Sequence, residues 1–206
     1  MKIFLLLLGS FFSLTNVWAQ NSDPVVGRDA AARYFEPRQP AQSSVTGSTD
    51  HYLALHFGRY MASQSYDWGK NGQEDDVGNN TFGVTYRVGE WLNSMDMNLR
   101  IDYSEFDVGR EDASKLSFLP LITFPDASSR FPLYFGAGLG LGIFFQQASS
   151  KSALSLDYQL VAGARFFNIY ENTGFFVEAG LKNHLLLLSS GQLNGTFLAA
   201  GLVFTF

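Results

Sequence analysis

Residues 95–104, MDMNLRIDYS, decide the fold, because apolar and polar side chains alternate strictly along them. Every odd-numbered position is apolar or aromatic, and every even-numbered position is polar or charged. A helix would spread the apolar residues around all its sides, whereas a strand places successive side chains on opposite faces. The stretch therefore predicts a β-strand with one apolar face and one charged face.

The same period of two residues recurs in seven further segments between His51 and the last residue, Phe206. Most of the segments approach the roughly 9–11 residues that a tilted strand needs to cross a bilayer. Their apolar faces lie within residues 53–57, 82–88, 115–124, 133–143, 154–162, 175–181 and 198–206. Pro120 blurs the period of the fourth segment, and residues 185–188 break it in the seventh, which indicates a bulge or an extension above the membrane.

Alternating strands fit a soluble sandwich as well as a membrane barrel, and three features favour the barrel. The segments are long, the less apolar face carries charges and glycines, and the last strand ends on Phe206 with Phe204 two positions before it. After the N-terminus no stretch reaches the roughly 18 apolar residues of a spanning helix. We therefore predict an all-β fold, an eight-stranded antiparallel transmembrane β-barrel, over residues 50–206.

The N-terminal residues have the pattern of a secretory signal peptide, predicted over residues 1–19. Lys2 precedes an apolar run, and Val17-Trp18-Ala19 approximates the cleavage rule, although a retained anchor is the alternative. The chain has no cysteine, which argues against a lipoprotein anchor. Residues 20–49, which contain three of the prolines, are predicted to be a flexible periplasmic lead, with a short helix over 28–35 as the alternative. The expected location is the cell outer membrane.

The connections between segments are expected to be long outside the cell and shorter in the periplasm. Residues 62–80 and 105–114 are predicted as outer loops, and residues 90–94 as a tight periplasmic turn. Aromatic residues are expected to form girdles at both rims of the barrel, where such side chains favour the membrane interface. Tyr60 and Tyr66 are assigned to the outer rim, and the inner rim is assigned Trp91, Phe131, Tyr170 and Phe206.

The inward face is expected to carry charges of both signs in nearly equal numbers. An eight-stranded barrel is only wide enough for side chains to fill, and unpaired charges inside it are costly. The favoured interpretation is a plug of ion pairs, and a narrow solute channel is the alternative. The expected members are Arg87, Arg100, Lys115, Arg165, Lys182, Asp96, Asp102, Asp157 and Glu178, with His56 and His184 on the same face.

Other motifs indicate little chemistry. The alternating glycines at 136, 138, 140 and 142 have the wrong spacing for a nucleotide loop and are expected to make room for Arg100 or Arg165. Asp67, Glu74, Asp75 and Asp76 suggest either a solvated acidic loop or carboxylates that bind calcium or bridge it to lipopolysaccharide. No cofactor or bound metal is predicted. With a net charge of −5 and no basic cluster, no nucleic-acid partner is expected.

Two family resemblances follow from these motifs. The alternation, residues 133–140 (LYFGAGLG) and the terminal Phe204-Thr205-Phe206 resemble small eight-stranded outer-membrane proteins of the OmpA, OmpX and OmpW type. Membership implies contact with outer-membrane lipids and lipopolysaccharide, and recognition of the C-terminal strand by the barrel assembly machinery. Residues 116–120, 154–157 and 176–180 are similar in order to segments of the lipid A 3-O-deacylase family, which is also an eight-stranded barrel.

The second resemblance implies an acyl hydrolase with a His, Ser and Glu triad, whose His and Ser form an H-x-S motif. The matching stretch here is Leu181-Lys182-Asn183-His184, which lacks that motif. The candidate catalytic residues are therefore His184, Ser189 and Glu178. Three hypotheses remain open: a structural or surface-interaction barrel with a filled lumen, a lipid A-modifying hydrolase and a narrow channel.

Overall fold

The computed structural model describes residues 51–67, 73–92, 94–108, 111–129, 131–146 and 152–206. The predicted signal peptide and periplasmic lead lie outside the described residues. The described strands are β1 (Tyr52–Tyr66), β2 (Gln73–Asp75), β3 (Gly78–Trp91), β4 (Met95–Val108), β5 (Glu111–Phe124), β6 (Leu133–Gln146), β7 (Leu154–Tyr170), β8 (Thr173–Leu186) and β9 (Gln192–Thr205).

Eight of these strands close into an antiparallel barrel. Each long strand pairs with its neighbours in sequence, and β1 pairs with β9 to close the sheet. The stretch that predicted the fold is β4, whose Ile101 lies opposite Val84 of β3 and Phe118 of β5. The predicted number of barrel strands and their antiparallel order are confirmed.

The barrel is apolar outside and charged inside. Leu139, Leu141 and Phe135 on β6 are each more than half exposed, whereas Lys115 and Asp157 in the interior are fully buried. A soluble protein of this kind would place its apolar face inward, so this distribution fits hydrocarbon outside the sheet. The chain is a transmembrane β-barrel, as the alternation predicted.

No helix in the described part of the chain is long and apolar enough to cross a membrane.

Several strands run farther than the sequence indicated at the barrel end remote from the described termini, His51 and Phe206. The predicted loop 62–80 is wrong, because β1 continues to Tyr66 and β2 returns to pair with it, with Gln64 opposite Asp75. The predicted loop 105–114 is also wrong, because β4 and β5 extend until Val108 lies opposite Glu111. The outward side chains of both extensions are mostly polar, so the apolar half of the alternation ends before the strands do.

Pro120 lies within β5, where it pairs with Leu99 of β4. On the other side, the ladder to β6 passes from Phe118 opposite Leu141 to Leu121 opposite Gly138. Proline has no N–H to donate, so it fits where the ladder is interrupted. The glycine run on β6 lies along this seam: a Cβ on Gly140 would lie 1.9 Å from the Phe118 carbonyl oxygen.

The prediction of aromatic girdles is confirmed for the inner rim and is wrong for Tyr60 at the outer rim. Trp91, Phe131, Tyr170 and Phe206 are exposed and lie near the strand ends on the same side as the termini. Tyr60, assigned to the outer rim, instead points into the barrel and is only 5% exposed. It shares its parity in β1 with Tyr52 and His56, and this parity places it among the inward residues.

Candidate functional site

The interior contains the nine charged side chains that parity predicted. All nine are at most 9% exposed, and they comprise five basic residues and four carboxylates. They come from five of the eight barrel strands, so the network crosses the lumen in several directions. Removing such charges from water is costly, and good pairing geometry is what makes their burial tolerable.

The centre of the network is the pair between Arg100 on β4 and Glu178 on β8. The two guanidinium nitrogens Nη1 and Nη2 donate to the two carboxylate oxygens at 2.6 and 2.9 Å. Tyr134 donates its hydroxyl to the same carboxylate at 2.6 Å, and Arg100 Nε donates to Thr85 Oγ1 at 2.9 Å. This bidentate geometry fixes the Arg100 and Glu178 side chains across the barrel.

A second group lies nearer the termini. Asp96 accepts from Arg87 Nε at 2.7 Å and from Arg165 Nη1 at 3.4 Å. Arg165 also donates to the Tyr52 hydroxyl at 2.6 Å, and Tyr52 donates to Asn98 Oδ1 at 2.7 Å. The Arg165 guanidinium lies 4.3 Å from the centre of the Tyr134 ring, which connects this group to the central pair.

A third group lies above the central pair, toward the end remote from the termini. Lys182 Nζ donates to Asp102 Oδ2 at 2.7 Å and to Thr81 Oγ1 at 2.9 Å. His56 Nε2 lies 3.2 Å from Asp102 Oδ1, but the two atoms lack hydrogen-bond geometry. Gly83 is required here, because a Cβ at this position would lie 2.2 Å from both Asp102 and His56.

The fourth group contains the second inward histidine. Lys115 Nζ donates to both oxygens of Asp157, at 2.6 and 2.7 Å, and Ser155 Oγ donates to the same carboxylate at 2.7 Å. His184 Nδ1 lies 3.0 Å from Asp157 Oδ1, and its Nε2 lies 3.1 Å from the Tyr60 hydroxyl. Both ring nitrogens therefore have polar neighbours within the lumen.

The candidate catalytic residues are not brought together. His184 and Glu178 both point into the barrel from β8, but they are six positions apart, or roughly 20 Å along a strand. Glu178 is bound by Arg100, whereas Ser189 lies beyond β8 and accepts a hydrogen bond from the Ser152 amide. No hydrogen bond among the described residues connects the three side chains.

The glycine run has a different neighbourhood from the one expected. A Cβ on Gly142 would lie 2.5 Å from both Asp157 and Ser155, whereas Gly136 and Gly140 approach backbone carbonyls of β5. Neither Arg100 nor Arg165 is among the nearest neighbours of the four glycines. The expectation that the run makes room for those arginines is wrong; Gly142 alone makes room for the Lys115 group.

The acidic residues after β1 do not form a cage. Asp75 Oδ1 accepts from Gln64 and Gln73, at 2.9 and 3.2 Å. Across the described ranges, no group of three or more His, Asp or Glu side chains is arranged to hold a metal ion.

The lumen has little room left. Beside the central pair lies a cavity of about 20 Å³, bordered by Arg100, Asn98, Tyr134 and Arg165. That volume accommodates about one water molecule. Side chains therefore fill the described interior.

Sequence reasoning placed the amide of Asn98 on the inward face but missed the inward phenols. Tyr52 and Tyr134 are buried in the lumen, where they bind Asn98 and Glu178. Their inward parity was visible in the sequence, but the inward face was expected to carry charged side chains and histidines.

Comparison with known proteins gives structural neighbours only. No protein-family model and no curated protein matches the sequence. Neisserial surface protein A (NspA) matches with a TM-score of 0.51 at 14% identity, over 76% of this chain and 97% of that chain. The outer membrane enzyme PagL matches with a TM-score of 0.49 at 15% identity, over 72% and 97%.

A third match is Ail, the attachment invasion locus protein of Yersinia pestis, with a TM-score of 0.41 at 20% identity, over 75% and 97%. At such low identity the likeness to NspA shows the fold and does not extend to function. The resemblance to small eight-stranded barrels, read from the sequence, is confirmed at the level of the fold.

Proposed function

We propose that this protein is a structural barrel of the bacterial outer membrane that supports envelope integrity. The observation that carries the proposal is the filled lumen, in which ion pairs and phenols leave a cavity of only about 20 Å³. A barrel of this kind acts through its outer wall and its rims, because side chains fill the part of its interior that the structure describes.

The outer-membrane placement has independent support. The N-terminal residues have the pattern of an export signal, and the exterior is apolar with exposed aromatic residues at the strand ends near the termini. The final strand, β9, closes the barrel against β1 and is followed by Phe206. We propose that the assembly machinery of the outer membrane recognises this C-terminal strand.

The test is deletion of the gene in the source bacterium, followed by complementation. We expect the deletion strain to become more sensitive to detergent and to take up more of a hydrophobic dye, and the intact chain to restore both properties. Unchanged permeability in the deletion strain would contradict the proposal.

The Ser189→Ala variant separates a structural role from a hydrolytic one. Ser189 lies outside the strands and makes one hydrogen bond to the Ser152 amide, so its loss should leave the barrel folded. A structural barrel with this substitution complements fully, and the acyl pattern of lipid A by mass spectrometry is the same with and without the protein. A changed acyl pattern that Ser189→Ala abolishes would establish the hydrolase instead.

A further inference from the structure

Arg165 is the least neutralised of the five cations in the lumen. The other four are each paired with a carboxylate oxygen at 2.6 or 2.7 Å, whereas the ion pair of Arg165 with Asp96 is 3.4 Å long. The remaining hydrogen bonds of Arg165 go to neutral oxygens, the Tyr52 hydroxyl and the Pro125 carbonyl. Asp96 is also the partner of Arg87, so one carboxylate serves two guanidinium groups.

The excess of one positive charge lies in the part of the lumen nearer the termini. Toward the other end, the two lysines each have a carboxylate of their own, whereas three arginines share Asp96 and Glu178. Asp126, in the turn after β5, is partly exposed and accepts from Ser128, and no ion pair found in the described part of the chain joins it to these arginines. Because an uncompensated buried charge is costly, a further negative charge at this level would stabilise the barrel.

The cavity of about 20 Å³ lies beside these arginines. Among the described residues that border it are the guanidinium groups of Arg100 and Arg165, and no carboxylate is among them. Each nitrogen of Arg100 makes one hydrogen bond, so Nη1 and Nη2 each keep a second N–H, and Arg165 Nε makes no hydrogen bond to a described residue. The cavity therefore combines spare donors and positive charge with the absence of a bordering carboxylate.

We propose that this cavity binds one small monovalent anion of the size of chloride, between Arg100 and Arg165. Guanidinium groups form strong, charge-assisted hydrogen bonds to anions. The cavity accommodates about one water molecule, and a chloride ion is only slightly larger. A water molecule would satisfy the spare donors but would leave the charge of Arg165 uncompensated, whereas an anion does both.

The position of the ion is tested by crystallography, with sodium bromide in place of sodium chloride during refolding and crystallisation. Bromide has the charge of chloride and an anomalous signal that locates it. We expect an anomalous peak in the cavity, in contact with Arg100 and Arg165. Bromide at the protein surface only, which is an adventitious ion only, would overturn the proposal, and so would a cavity that holds water alone.

The contribution of the ion to stability is tested by urea unfolding in phosphatidylcholine vesicles, with chloride replaced stepwise by gluconate at constant ionic strength. Gluconate is too large for the cavity. For the wild type we expect the equilibrium constant for unfolding to fall about tenfold for each tenfold rise in chloride above the dissociation constant. Equal stability in chloride and gluconate would overturn the proposal.

Asn98→Asp is the decisive variant, because it places a fixed carboxylate on the cavity wall with almost the shape of the amide, and its oxygen can still accept from Tyr52. We expect it to abolish the chloride dependence. Asn183→Asp is the matched control, since it makes the same change on the outward face of β8 and should keep the dependence.

Gel mobility first shows that each variant is folded. Arg165→Gln, which removes the excess positive charge, serves the same purpose as Asn98→Asp if that variant does not fold. A chloride dependence that persists in the folded variant would overturn the proposal.

Discussion

Replacing Glu178 with methionine tests whether the lumen network holds the barrel together. Glu178 is 2% exposed, and its carboxylate accepts two hydrogen bonds from Arg100 and one from Tyr134. Removing it leaves a buried guanidinium without its counter-ion, which costs about 3–5 kcal/mol. We therefore expect Glu178→Met to lower the free energy of unfolding by that amount.

The assay is urea unfolding of the barrel in lipid vesicles, followed by tryptophan fluorescence and gel mobility. Glu90→Gln serves as the control, because an exposed residue at a strand end should change stability by less than about 0.5 kcal/mol. Arg100→Met alone should also lower the free energy of unfolding, since it leaves the Glu178 carboxylate buried without its counter-ion. The double variant should lose less than the sum of the two, because neither buried charge is then left without a partner.

A loss below about 1 kcal/mol for Glu178→Met, the size of an exposed ion pair, would show that the buried Arg100 does not need Glu178 as its counter-ion. Strict additivity in the double variant would show the same, because it would mean that the two side chains do not depend on each other.

Three further predictions follow from particular contacts. Gly140→Ala should destabilise the barrel by about 1–3 kcal/mol, because its Cβ would meet the Phe118 carbonyl; Gly89→Ala, which meets nothing within 4 Å, should be nearly neutral in the same urea titration. Phe206→Ala should reduce the amount of folded barrel in cells while leaving refolding in vesicles intact, and gel mobility of both samples measures this. Equal amounts of folded wild-type and variant barrel in cells would contradict the proposed role of the C-terminal residue in assembly. Trp91, which is 40% exposed at a strand end, should be quenched most strongly by lipids brominated near the headgroup, and stronger quenching from the bilayer centre would contradict its place at the interface.

The sequence predicted the barrel because every membrane-facing residue must be apolar and every alternate residue must face the lumen. That constraint is strict on β4, so parity alone identified Arg100 and Asp102 as interior residues. The constraint ends where the strands leave the membrane, and for this reason the extension of β1 to Tyr66 and the whole of β2 were missed.

Partners within the lumen could not be predicted from parity. The pair of Arg100 with Glu178 joins residues on β4 and β8, across the barrel, and depends on how the closed sheet brings distant strands together. Parity did place Tyr60 inward, but a general preference of tyrosine for membrane interfaces overrode it in the sequence interpretation. The candidate residues His184, Ser189 and Glu178 do not meet, since Ser189 lies beyond the end of β8.

If side chains seal the lumen, planar-bilayer recording should detect no channel activity from the folded barrel. Purified barrel is inserted into a bilayer in concentrated potassium chloride, with a sixteen-stranded porin as the control that must give current steps. A cavity of about 20 Å³ accommodates roughly one water molecule, so we expect no current steps from this protein. Reproducible, stable current steps from the folded barrel would contradict this expectation.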